Sequence, residues 1–132
     1  MSQTATTNLA PAEPRAPFMT KITMEVDPQA IDNLMSDALD FCAYWCRRVA
    51  VAGATPEGAE YRSEVVSRGG KLKFYLNDQP ATLTLDRASF LTGVARYAES
   101  HGKWVLSPAS DYDAADADAV LQLALFGEII YG

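Results

Sequence analysis

Histidine is almost missing from this chain. His101 is the only one in 132 residues, which removes His-rich metal sites and leaves a single imidazole as a candidate base. Cysteine is scarce too. Cys42 and Cys46 alone cannot build the disulfide framework of a small secreted domain, so a cytosolic protein is expected. Basic residues are outnumbered: 11 Lys and Arg stand against 17 Asp and Glu, for a net charge of -6. Nucleic-acid binding rests mainly on Lys and Arg releasing counterions from phosphates, so direct nucleic-acid binding is not expected. No run of about 18 apolar residues occurs, so no membrane span is expected. The N-terminus lacks a basic n-region and an apolar h-region, so no signal peptide is expected.

The rest of the composition suits a globular domain. Apolar residues make up 48% and charged residues 21%. Area scaling gives about 6,800 Å² of folded surface against about 20,700 Å² for the extended chain, so a core can form without staples. Residues 1–17 mix Ser, Thr, Ala and Asn with Pro11, Pro14 and Pro17. Such a segment cannot offset an ordering cost of about 1–2 kcal/mol per residue, which predicts a flexible tail. Residues 18–132 are predicted to form one α+β domain.

Hydrophobic periodicity sets the expected elements. Phe18, Thr20, Ile22, Met24 and Val26 alternate with Met19, Lys21, Thr23 and Glu25, predicting a strand with one buried face. Asp27-Pro28 reads as a helix cap and first turn. Three- and four-residue spacing from Ile31 to Val49 predicts a helix over 28–49. Residues 61–66 and 71–76 flank Ser67-Arg68-Gly69-Gly70 and read as a hairpin, with residues 81–85 as a third strand. Further helices are expected over 86–101, ended by Gly102, and over 114–126, capped by Asp113 and ended by Gly127. The last is apolar nearly all round and should be buried. The expected fold is a small antiparallel sheet, a hairpin or meander, packed against about three helices. A helical core with a protruding hairpin is the alternative.

Few residues suggest chemistry. Cys42 and Cys46 would share one helix face as buried, reduced thiols. A metal there lacks two further ligands, and no metal or cofactor is expected. His101 as a base would need a nucleophile and an orienting acid. Ser100 is adjacent but is not expected to share its helix face, and a place at a helix C-terminus explains the His without catalysis. Arg47, Arg48, Arg62, Arg68, Lys71 and Lys73 could gather round the hairpin to receive a phosphate or an RNA backbone, although solvated strand faces usually carry such residues. The densest charge cluster is Asp111, Asp113, Asp116 and Asp118. It lacks the glycine and distal Glu of an EF-hand loop. Capping a helix N-terminus is its simplest use. Contact with a basic partner is its functional use, so these four are the candidate partner-binding residues.

One resemblance adds to this reading. The ending over residues 117–132 has Leu121-Gln122 before Phe126-Gly127-Glu128, then Ile129, Ile130, Tyr131 and Gly132. It resembles the ending of an uncharacterised group of small bacteriophage and prophage proteins. The helix around Tyr44-Trp45, the Gly-Gly turn and Thr84-Leu85-Asp86 are similar in order. The resemblance implies a phage origin and action in the cytoplasm of a bacterial host, and it implies no catalytic residue.

The functional expectation is a small acidic, non-catalytic interaction protein. Its partner would be a host protein with a basic surface, such as a nucleic-acid-binding defence protein of the CRISPR–Cas kind. One alternative is a ligand-binding protein or enzyme with a pocket between sheet and helices. Another is a homo-oligomeric phage structural or replication accessory protein, assembling through the apolar C-terminus.

Overall fold

The computed structural model describes residues 9–107 and 110–132. Helix α1 spans Pro28–Phe41 and is followed by a 3-10 turn, Cys42–Tyr44. Strand β1 is Cys46–Ala52, β2 is Lys71–Leu76 and β3 is Thr82–Leu85. Short 3-10 turns at Arg62–Glu64 and Val66–Arg68 lie between β1 and β2. Helices α2, Arg87–His101, and α3, Ala114–Phe126, complete the α+β fold. The three strands form one antiparallel sheet in the order β1-β2-β3. One face of it closes over the helices. Val49 pairs with Phe74 and Phe74 with Leu83, which aligns the apolar side chains across all three strands. Helix α3 lies against both α1 and α2 and contributes Ala117, Val120, Leu121 and Leu123 to the core.

Caps place the helix ends. The Asp27 side chain accepts from the Gln29 amide, and Pro28 opens α1. Asp86 and Ser89 cap α2 reciprocally, as Asp113 and Asp116 cap α3. Gly102 and Gly127 close these two helices at φ 65° and 78°, a conformation that only glycine adopts without strain. Gly93, inside α2, lets the α2 and α3 backbones approach closely. A Cβ there would sit 2.7 Å from both the Val120 carbonyl oxygen and the Ala124 Cβ.

Three expectations are corrected. Helix α1 stops at Phe41, and residues 46–52 form β1 rather than its last turns. A register shift between Cys46 and Arg48 leaves both Arg47 and Arg48 outside. Buried Cys46 and Val49 therefore lie three residues apart, which imitates helical spacing. Residues 61–66 do not pair with β2. The Glu64 carboxylate accepts from the Glu60 and Tyr61 amides and folds this stretch into a 3-10 turn, while β1 takes the place beside β2. Residues 18–26 form no strand and no helix, and Phe18, Met19, Ile22 and Met24 are exposed. Of the tail expected over 1–17, residues 1–8 lie outside the described residues, and 9–17 are exposed without helix or strand. No helix among the described residues is long and apolar enough to cross a membrane.

Candidate functional site

The four candidate aspartates share one segment but not one environment. Asp118 is 4% exposed and faces the core from α3. It accepts from Trp45 Nε1 at 2.7 Å, Tyr44 Oη at 2.7 Å and Gln122 Nε2 at 2.8 Å. Buried carboxylates persist when their oxygens are bonded in this way. Burial, and then the bond to Asp118, push the Tyr44 hydroxyl up to about 12.

Gln122 continues the network. Its Oε1 accepts from the Ile130 and Tyr131 amides at 2.8 Å, and its Nε2 donates to the Tyr131 carbonyl. The Tyr131 ring stacks flat on Trp45 at 5.6 Å, Phe126 meets both rings edge-on, and the Tyr131 hydroxyl donates to Asp78. The C-terminal residues 126–131 are thus a clasp that folds back over Trp45. Asp118 is removed from the candidate contact surface, because its oxygens are used inside.

Asp116 is half-buried between α2 and α3. Burial pushes its carboxyl up, but bonds from the Tyr97 hydroxyl, the Asp113 amide and Lys103 Nζ outweigh this and hold it at about 2. The Lys103 ammonium lies 2.9 Å away. Asp116 therefore carries a neutralised charge. Asp113 is exposed but serves as the cap of α3. Asp111 is exposed, and its side chain makes no bond among the described residues.

The structure adds a residue the sequence did not single out. The Tyr112 hydroxyl donates to Asp37 of α1 at 3.1 Å, and burial, then Asp37, push that hydroxyl up to about 12. The bond sets exposed Asp37 beside the loop in which exposed Asp111 and Asp113 flank Tyr112, an acidic surface that also meets the Lys103 ammonium. The contact crosses from α1 to the loop before α3, so periodicity within either segment could not reveal it.

The opposite charge gathers on the open face of the sheet. Arg48 pairs with Tyr75, Lys73 with Thr84 and Tyr75 with Thr82, so these side chains share the solvent face. The charged ends of Arg47, Arg48 and Lys73 lie 5.6, 5.1 and 5.4 Å from the Tyr75 ring centre, within cation–π range. None of the three is in an ion pair among the described residues. Arg68 differs: it pairs with buried Asp32, which also accepts from Ser67 and ties α1 to the 3-10 turn. Arg62 is bound to the Val49 carbonyl at 2.7 Å.

Cys42 and Cys46 are both buried and free, on the 3-10 turn and β1 rather than on one helix. They neighbour each other. Their thiols donate to the Leu39 and Arg48 carbonyls, and the proximity of the two sulfurs pushes Cys42 up, with burial adding to it, and draws Cys46 down. Among the described residues no group of three or more His, Cys, Asp or Glu comes together to hold a metal ion. His101 is exposed at the end of α2 and stacks on Tyr97 at 4.3 Å. Contrary to expectation, Ser100 Oγ reaches its Nδ1 at 2.7 Å. No carboxylate orients this imidazole among the described residues. A cleft of about 380 Å³ lies between α1 and the first 3-10 turn after β1, lined by Ser36, Leu39, Asp40, Tyr61, Arg62 and Ser63. It is not between sheet and helices, and His101 does not line it. Comparison with protein-family models, curated proteins and solved structures finds no match to this chain.

Proposed function

We propose that this is a small, non-catalytic interaction protein that docks on the basic surface of a host protein, in a phage or prophage setting. The partner class is a nucleic-acid-binding defence protein, with a CRISPR–Cas component as one such target. The acidic surface round Tyr112 carries the reading: Asp37, Asp111 and Asp113 remain exposed there while Asp116 and Asp118 are satisfied internally. An excess of acidic charge speeds encounter with a basic surface and rejects acidic ones. The Tyr112–Asp37 bond ties the loop that carries Asp111 and Asp113 to α1, which lowers the ordering cost of binding.

A second reading rests on the three cations round Tyr75. In a chain with surplus carboxylates they stay without an acidic partner, so the sheet face suits a phosphate or carboxylate group on a binding partner. The two readings separate in one experiment. The partner is captured from bacterial lysate, and its association is measured with Asp37→Asn/Asp111→Asn and with Arg48→Gln/Lys73→Gln. Slower association in the first variant alone supports the acidic surface. Slower association in the second alone transfers the contact to the sheet.

A further inference from the structure

Residues 18–26 hold a contradiction between pattern and packing. The alternation of apolar and polar residues is that of a strand with one buried face, yet no strand pairs with it among the described residues. Phe18 and Met19 are 90% and 95% exposed, and Ile22 is 76% exposed. The accessible surface of the chain is 8838 Å² against about 6,800 Å² for a compact protein of this mass. This exposed arm contributes to that excess. An unpaired strand with exposed apolar side chains is a template for pairing with another strand.

We infer that the occupant is a second copy of this chain, whose arm pairs antiparallel with the same arm about a two-fold axis through Thr23. Charge complementarity within the segment selects this register. With Thr23 on the axis, Lys21 lies opposite Glu25 of the second copy, and Glu25 opposite its Lys21. Ile22 then lies opposite Met24 and Thr20 opposite Val26. Directly opposed residues share a face of an antiparallel pair, so the apolar side chains fall together on one side. An axis at Ile22 would set Glu25 against Met19 and leave Lys21 facing Thr23. An axis at Met24 would set Lys21 against Asp27, whose carboxylate already caps α1, and leave Glu25 facing Thr23.

The body offers a seat for the apolar face. Ile22, Met24 and Val26 line an apolar groove of about 370 Å³ with Leu91, Ala95, Ala98 and Trp104 of α2 and the segment after it. A two-stranded ribbon alone is marginal in water. Packed on α2, this ribbon gains the helix support it needs. The interface is isologous, so it closes at two chains and does not propagate.

Light scattering and sedimentation of the full chain test this by mass. The expected result is a reversible dimer in the micromolar range. Lys21→Glu turns both cross-strand pairs into Glu–Glu, and Glu25→Lys turns both into Lys–Lys. Each variant alone should weaken the dimer about ten-fold, since like charges directly opposite destabilise a strand pair. Mixing the two variants should restore a heterodimer, because both pairs across the axis then set a Glu opposite a Lys. Both substitutions lie on the exposed arm and leave the fold intact, as circular dichroism checks. A wild-type monomer at all concentrations would overturn the inference. So would a dimer insensitive to both reversals, which would place the interface elsewhere. The outcome does not depend on the acidic surface round Tyr112.

Discussion

Replacing Asp118 by Ala is expected to cost about 3 kcal/mol of folding stability. The Trp45 indole N–H is buried and donates to Asp118, so the truncation orphans it. A buried donor left without a partner costs about 1–3 kcal/mol. The lost carboxylate also leaves a void under Trp45 and Tyr44, adding about 1 kcal/mol or more. Two effects limit the total. Gln122 Nε2 keeps the Tyr131 carbonyl, and Tyr44 is half exposed and reaches water. Removing a buried anion also removes its desolvation cost. Asp118→Asn should cost less, about 1–2 kcal/mol. Its amide oxygen still serves Trp45, while its N–H₂ faces the Gln122 N–H₂. Urea unfolding followed by circular dichroism measures both, and the Ala variant should also melt about 10 °C lower. An Ala variant within about 0.5 kcal/mol of the wild type would refute the role of Asp118 as the hub of the clasp.

Other perturbations report on separate contacts. Gly93→Ala should destabilise by about 2 kcal/mol although Ala is the better helix former, because the added Cβ meets the unyielding Val120 carbonyl; an unchanged midpoint would mean that α2 and α3 are less tightly apposed. Asp116 should shape the acid limb of stability. Its carboxyl is held at about 2, below the ordinary 3.8, so its contribution of about 2 kcal/mol is present above pH 4 and lost as pH falls toward 2. Asp116→Asn should flatten that limb, and an identical limb would remove the Tyr97 and Lys103 bonds from the explanation. Gln122→Ala removes a fully buried side chain and a donor to Asp118, so it should cost about 1–3 kcal/mol of stability and speed hydrogen exchange most at the Ile130 and Tyr131 amides, which lose their acceptor. Cys42 and Cys46 should react slowly with a thiol reagent in the native protein and at once after unfolding; rapid native labelling of both would contradict their burial.

Much of the fold was legible because local signals agree with the packing. Helix α3 was readable at both ends, since Asp113 and Gly127 carry the cap and stop, and its all-round apolar surface foretold its central place. The same holds for α2, β2 and β3. The second half of the 28–49 stretch misled because a bulge in β1 sets buried residues three apart, as a helix does. Residues 61–66 misled because Tyr61 and Glu64 form a local cap that competes with strand pairing. The candidate site was less legible. Charge density pointed to four aspartates, but burial decides their roles, and burial depends on the fold. One signal was present for Asp118: a charged residue and Gln122, four residues apart, sit in an otherwise apolar buried helix and therefore needed partners. The bond from Tyr112 to Asp37 spans 75 residues, beyond any sequence spacing.

Association kinetics of the captured partner with wild type and with Asp37→Asn/Asp111→Asn, at low and high salt, test the proposed function most directly. Both substitutions keep the side-chain shape, and the amide oxygen introduced in place of the Asp37 carboxylate can still accept from Tyr112. The expected result is an association rate lowered about two- to ten-fold at low salt, with a flatter salt dependence, because rim charges act mainly on encounter. The melting temperature should stay unchanged. Equal rates for the two proteins at both salt concentrations would contradict the acidic surface as the site of contact.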